Sequence, residues 1–263
     1  MPIVVEAGAW LDRLRIRPFF QPIIDLSSGS PLGYEILSRG TAPFGSPAVM
    51  FQVARESDLL WDLERACRTA ALQGIAGLPP HLRGSRFFLN VSPQILSDNR
   101  FVEGFTLGML QKLGLDQGNV VIEITEQESI RDYRRFEALI RHYVEQGFRI
   151  SLDDFGSGHS SLVTLVRCVP HFLKLDHEIV RQVERTPYKQ QLVKALVAFS
   201  TSVGAELIAE GVETWPELEA LVALGVRHAQ GFLLARPWPE PMELEPATRE
   251  RLSRVVQGVE SFP

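Results

Sequence analysis

The sequence predicts an α/β fold, a (β/α)8 TIM-like barrel with an antiparallel first strand. Three observations carry this. Short strand-like runs alternate with longer helix-like runs, the pattern of parallel βα units. Eight such strand runs can be counted. The first two are separated only by Ser27 to Pro31, too short for a crossover helix, so that pair is antiparallel. A length of 263 residues fits one large barrel or two smaller domains, and a core of that size needs no staples.

The predicted strands are Phe19–Leu26, Leu32–Ser38, Arg86–Val91, Val120–Thr125, Arg149–Asp153, Phe172–Leu175, Glu206–Glu210 and His228–Leu233. Amphipathic helical stretches lie between most of them. Ser46-Pro47 reads as an N-cap followed by proline at the first helical position. Thr214-Trp215-Pro216-Glu217 reads as a capping box. Gly147 and Gly204 follow helical runs, where a C-terminal cap belongs. The tail from Glu245 to Val259 is expected to form one more helix.

Composition narrows the function. The formal net charge is −5, which argues against binding of long nucleic acid, normally the work of a basic face. A small anionic ligand stays open if metals or local cations hold it. Cys67 and Cys168 fit no metal spacing and no disulfide framework, so buried thiols in a reduced, cytoplasmic setting are expected. Met1 to Leu11 lacks the features of a signal peptide, and no apolar run reaches the length of a membrane span.

Strand side chains alternate between two faces, and in a barrel one face looks to the axis. Counting by twos puts Glu35, Leu37 and Arg39 together on strand two, and Phe88, Asn90 and Ser92 on strand three. The same count gives Val121, Glu123 and Thr125 on strand four, with Glu126 just beyond. Strand five gives Ser151 and Asp153, with Asp154 following, and strand six gives Phe172, Lys174 and Asp176. Strand seven gives Ile208 and Glu210, with Glu213 in the loop after it; strands one and eight offer Gln21 and Gln230. The opposite faces carry Ile36, Leu89, Ile122, Ile124, Ile150, Leu152, Leu173, Leu175 and Leu207, suited to packing on helices. Solvated strand ends would not need the same parity strand after strand. The polar set is therefore expected to converge at the C-terminal mouth of the barrel, where barrel enzymes place their sites.

Eight carboxylates gather there: Glu35, Glu123, Glu126, Asp153, Asp154, Asp176, Glu210 and Glu213, with only Arg39 and Lys174 in obvious balance. Packed carboxylates either keep protons or bind cations. An oxygen-rich set that includes the Asn90 amide, with no histidine or cysteine at the strand ends, suits Mg²⁺ or Mn²⁺ and not zinc. Asp153-Asp154 suits a two-metal centre for phosphate-ester cleavage. Paired acids also serve glycosidases, but the surplus of acids with Asn90 and Lys174 fits metals better. Asp154-Phe155-Gly156 matches a kinase triplet by chance, since no other kinase element accompanies it.

At these residues the chain resembles the EAL domain family. The motifs are Phe20-Gln21-Pro22-Ile23, Glu35-Ile36-Leu37-Ser38-Arg39, Leu89-Asn90-Val91-Ser92 and Glu123-Ile124-Thr125-Glu126. They continue as Asp153-Asp154-Phe155-Gly156-Ser157-Gly158, Lys174-Leu175-Asp176, Ala209-Glu210-Gly211-Val212-Glu213 and Gln230-Gly231-Phe232. Each is weak alone; the ordered set, running from about Trp10 to Pro239, is specific.

The resemblance implies a single phosphodiesterase domain over residues 1–263, with a core at about 10–240 and a helical tail at 241–263. It implies hydrolysis of cyclic di-GMP to linear pGpG with two ions, Mg²⁺ or Mn²⁺, Ca²⁺ being inhibitory. The implied metal ligands are Glu35, Asn90, Glu123, Asp153, Asp154 and Glu210. Lys174 would position or help deprotonate the attacking water, with Glu210 as the alternative base. Gln21, Leu37, Arg39, Asp176, Gln230 and Gly231 would hold the substrate; Glu126 would brace the loop after strand five, and Glu213 would orient Lys174. A homodimer and a sensory or GGDEF partner are further family expectations.

Two positions depart from the family pattern. Ile36 stands where alanine is usual, on the face away from the site, and His159 replaces a common tyrosine in the loop Phe155–Ser161, which the family uses in dimerisation. The alternative function is a non-catalytic cyclic di-GMP receptor. Relatives of that kind have lost metal ligands, and none is lost here.

Overall fold

In the computed structural model, which describes residues 9–42, 45–98, 100–125, 133–156, 165, 167 and 170–260, eight strands close into a barrel in chain order. The amino-terminal helix α1 (Ala9–Arg13) leads into β1 (Arg17–Asp25) and β2 (Ser30–Arg39). Then come α2 (Pro47–Glu56), α3 (Leu60–Gly77), α4 (Pro80–Arg83), β3 (Phe87–Val91), α5 (Phe105–Leu113) and β4 (Val120–Thr125). The second half runs α6 (Tyr133–Glu145), β5 (Arg149–Phe155), β6 (Phe172–Leu175), α7 (His177–Val180), α8 (Pro187–Val203), β7 (Glu206–Ala209), α9 (Trp215–Ala223), β8 (His228–Ala229) and α10 (Pro246–Glu260).

The irregular start is as expected: β1 is antiparallel to β2 and also to β8, and every other pairing is parallel. The reversal is made locally. Asp25 accepts from the backbone N–H groups of Ser27 and Ser28, and Gly29 takes the left-handed conformation (φ 65°) that closes the turn.

The helix signals hold with one difference. Thr214 and Glu217 form the capping box, and Gly147 and Gly204 have positive φ. Ser46 occupies the N-cap of α2, but its side chain makes no capping hydrogen bond. The predicted eighth strand is much shorter than Leu233 suggests, because the chain turns immediately after it. Gly231 O accepts from Leu234 N and Ala235 N, which ends the ladder. A Cβ on Gly231 would lie 2.1 Å from Val212 O, so only glycine fits this close backbone approach.

The barrel separates two environments. The outward residues Ile36, Leu89, Ile122, Ile124, Ile150, Leu152, Leu173, Leu175 and Leu207 join the helices in the main core. Inside, Ile23, Phe88, Val121, Phe172 and Ile208 form a separate apolar plug, with the Phe88 and Phe172 rings edge to face at 5.1 Å. A third cluster packs Trp10 of α1 against Met50 and Ala54 of α2 and Leu63 and Cys67 of α3. Cys67 is buried as expected, while Glu126, His159 and Cys168 lie outside the described residues. Among the described residues no helix is long and apolar enough to cross a membrane.

The plug gives a direct test of packing. Phe172→Ala should lower unfolding free energy by about 3–5 kcal/mol in denaturant titration. A loss below about 1 kcal/mol would mean that the barrel interior is not tightly filled at this layer.

Candidate metal centre

One layer above the plug, toward the C-terminal ends of the parallel strands, the inward side chains become polar. Glu35 comes from β2, Asn90 from β3, Glu123 from β4, Asp153 from β5 and Lys174 from β6; Glu210 and Gln230 sit one residue past β7 and β8. Because β1 runs backwards, Gln21 reaches this layer from the middle of its strand, paired with Glu35.

Lys174 is the hub. Its ammonium, 1% exposed, lies 2.6 Å from Glu210 Oε1, 2.7 Å from Glu123 Oε1, 3.2 Å from Asp153 Oδ1 and 3.3 Å from Glu35 Oε2. Glu35 is held from three sides, since Gln230 Nε2 donates to its Oε2 at 2.6 Å and Asn90 Nδ2 to its Oε1 at 3.1 Å. Glu123 is fully buried at the base of the group.

Asp154 joins this cluster by a device that alternation alone does not supply. Between Leu152 and Phe155 the β5–β6 register shifts by one residue, and Asp154 adopts φ 54°. This bulge lets two consecutive carboxylates reach the same side. Carboxylate oxygens of Asp153, Asp154 and Glu210 lie within 4.8 Å of one another. Asparagine and aspartate tolerate the left-handed region better than most residues, which suits aspartate to this position.

The electrostatics show what the cluster lacks. Burial pushes the carboxyls of Glu123 and Glu210 well above their usual range, although Lys174 opposes the shift. Burial, then repulsion from Asp153, raises Asp154 to about 7. Lys174 is held well above its ordinary value against desolvation, because Asp153, Glu123, Glu210 and Glu35 surround it. Among the described residues, Glu123 Oε2 and Gln230 Oε1 are buried without a hydrogen-bond donor, and Asp153 Oδ1 meets only the shared Lys174 ammonium. One ammonium therefore faces more carboxylate charge and more lone pairs than it can satisfy. An all-oxygen donor set with unfilled lone pairs fits hard divalent cations.

Two cavities open from the cluster. The larger, about 910 Å³, runs from Glu35, Asn90, Asp153 and Asp154 toward Phe51 and Arg55 of α2. The second, about 500 Å³, is lined by Gln21, Glu210, Gln230, Gly231, His177 and Arg181, among others. Glu35, Leu37 and Asp154 border both.

Other expected site residues sit further out. Arg39 donates to Ser38 O at 3.2 Å, with its guanidinium 6.0 Å from the Phe19 ring centroid, and lines neither cavity. Asp176 caps α7, accepting from Glu178 N at 2.8 Å, and its charge acts on Asp154. Glu213 lines the second cavity but is not among the four acids within 4.0 Å of Lys174.

Glu64 and Arg68 on α3 have no role in the sequence reading, and Glu217 on α9 has only its place in the capping box; all three are buried. Glu217 accepts from the backbone N–H groups of Gln182, Glu213 and Thr214, tying the rim loop after β7 to the segment after α7. A signal for the first two existed. They fall on the apolar stripe of α3, with Trp61, Ala71, Leu72 and Ile75, where charge is out of place unless paired.

The family model for the EAL domain matches residues 7–237. The chain belongs to the EAL domain family. This EAL chain is 31% identical over 234 residues to cyclic di-GMP phosphodiesterase PA2567 of Pseudomonas aeruginosa, covering 85% of the chain and 39% of the relative. It is 32% identical over 201 residues to cyclic di-GMP phosphodiesterase PdeR of Escherichia coli, covering 76% of the chain and 30% of the relative. It thus spans well under half the length of these two relatives. The Klebsiella pneumoniae BlrP1 calcium/cyclic di-GMP complex superposes with a TM-score of 0.79 at 30% identity, covering 87% of this EAL chain and 57% of that one. A standalone EAL protein of Vibrio cholerae O395 in its cyclic di-GMP-bound form gives a TM-score of 0.76 at 25% identity, covering 89% of this chain and 98% of that one.

The charge imbalance predicts a pH and metal signature. Asp154 holds its proton up to about 7 when folded but only to about 3.8 when unfolded, so between these values the folded state binds more protons. Its contribution therefore makes the chelated protein less stable as pH rises through this window. Thermal melts in EDTA should fall less over that range for Asp154→Asn than for wild type, and Mg²⁺ or Mn²⁺ should raise the wild-type melt most at the alkaline end. Equal slopes for the two proteins would contradict this.

Proposed function

We propose that this chain hydrolyses cyclic di-GMP to linear pGpG, acting in bacterial second-messenger signalling. The observation that carries the reading is the oxygen-only cluster of Glu35, Asn90, Glu123, Asp153, Asp154 and Glu210 around Lys174, opening onto a ligand-sized cavity. Its relatives' names and the cyclic di-GMP bound in similar structures support the substrate.

In this reading those six residues would hold two ions, Mg²⁺ or Mn²⁺. When bound, the ions supply Lewis-acid activation of water and stabilisation of the leaving oxygen. Lys174, charged among its acids, orients the attacking water as a hydrogen-bond donor, which its raised pKa favours over the role of base. Glu210, 2.6 Å from that ammonium and with a raised pKa, takes the water's proton. Gln21, Leu37, Gln230 and Gly231 line the mouth and contact the substrate. Arg39 swings from its rest over Phe19 to fork onto a phosphate oxygen. Asp176 acts beside Asp154, while Glu213 borders the substrate.

The same reading includes one catalytic domain, a homodimer, a cytoplasmic setting and a sensory or GGDEF partner. A curated relative from Pseudomonas aeruginosa, 29% identical, is named as a bifunctional diguanylate cyclase and phosphodiesterase.

Purified protein, checked for dimerisation by light scattering, should convert cyclic di-GMP to pGpG with Mg²⁺ or Mn²⁺ and stop in EDTA or Ca²⁺. Glu35→Ala should reduce turnover to background, and Lys174→Ala should lower kcat about 10²–10³-fold with a smaller change in KM. Full activity of Glu35→Ala would overturn the site. Tight cyclic di-GMP binding without cleavage in either metal would make the chain a receptor instead.

A further inference from the structure

Glu64 and Arg68 lie one turn apart on α3, both almost completely buried, and both border the larger cavity together with Asn90, Asp153 and Asp154. Arg68 Nη2 donates to Glu64 Oε2 at 3.0 Å, while Arg68 Nη1 reaches Thr106 Oγ1 at 3.1 Å and Tyr143 OH at 3.0 Å. The other carboxylate oxygen of Glu64 accepts from the backbone N–H of Ser92 at 3.0 Å.

That contact falls at a particular place. The β2–β3 ladder ends at Ile36–Leu89 and the β3–β4 ladder at Val91–Ile124. Ser92 lies just past both, and there Glu64 accepts from its backbone N–H. Strand ends fray unless something holds them, and this bond ties the end of β3 to α3. Two residues back along the same backbone is Asn90, whose amide donates to Glu35 Oε1 at 3.1 Å and whose carbonyl oxygen is a candidate ligand.

We propose that Glu64 is a positioning residue for the metal centre: by holding Ser92 it fixes the strand end that carries Asn90, and Arg68 keeps it aimed there. The idea rests on the functional reading above. It differs from the plain role of a buried ion pair joining α3 to α5 and α6, because it ties the pair to metal affinity and not only to stability. Partners one step behind metal ligands typically contribute about 10–100-fold in metal affinity or activity.

The test is direct Mn²⁺ binding, by calorimetry or by electron paramagnetic resonance of free Mn²⁺, on the whole chain without nucleotide. Glu64→Ala should weaken Mn²⁺ binding by about 10–100-fold. Glu64→Gln, which keeps an acceptor for Ser92 N, should stay within about threefold of wild type even if its melting temperature falls, since one amide oxygen suffices for that bond. Should Glu64→Ala leave Arg68 unpaired and fail to fold, the double variant E64L/R68M replaces the ion pair with apolar groups and should show the same metal defect. Unchanged Mn²⁺ affinity in folded Glu64→Ala or E64L/R68M would overturn the proposal while leaving the phosphodiesterase reading intact. So would a defect in Glu64→Gln as large as in Glu64→Ala. Wild type that takes up no Mn²⁺ would overturn the metal-centre reading and this inference with it.

Discussion

The organisation of this protein follows from one contact set, the ammonium of Lys174 surrounded by Glu35, Glu123, Asp153 and Glu210 at 2.6–3.3 Å. In so dry a place each unpaired charge is expensive, and a lone cation cannot neutralise four acids. A flexible scaffold would relieve the strain by letting the acids drift apart or turn to solvent. The barrel forbids this, because each acid is anchored on a different strand and the plug beneath them, Ile23, Phe88, Val121, Phe172 and Ile208, cannot compress. The repulsion is held in place by packing, which makes the cluster avid for positive charge.

This explains why so much of the site could be read from the chain. An inward-facing layer in a barrel imposes a strict period of two, so Glu35, Asn90, Glu123, Asp153 and Lys174 revealed themselves by parity, and their outward neighbours by hydrophobicity. Parity alone does not account for whatever breaks the period, even where, as at Asp154, the sequence places the residue at the site. Asp154 reaches the cluster only through a bulge with φ 54°, a backbone event that leaves no hydrophobic signature. The eighth strand ends early because Gly231 packs on the backbone of Val212, a tertiary contact invisible to local propensity. Glu64 and Arg68 come from a helix, where attention to strand ends does not look, and Asp176 proves to be engaged in capping α7.

The site is also graded in depth. Glu123 and Lys174 are sealed at the base, Asp154 and Glu210 are half-buried, and Asn90 is exposed. Burial raises the carboxyls of Glu123, Asp154 and Glu210 alike, at the base and nearer the opening. The two cavities meet at Glu35, Leu37 and Asp154, so a ligand long enough to occupy both would bring its middle over the acids.

The reversed first strand has one more effect. Since β1 runs opposite to its neighbours, Arg17 pairs with Arg39 at the open end of the barrel, while the β1–β2 turn lies at the closed end. The polypeptide thus arrives beside the open end that holds the acidic cluster, by way of α1, whose Trp10 is packed against α2 and α3. Those two helices wall the larger cavity. Trp10 thus couples α1 to the side of the barrel that borders the cavity, while the interior beneath the acids is closed by the apolar plug.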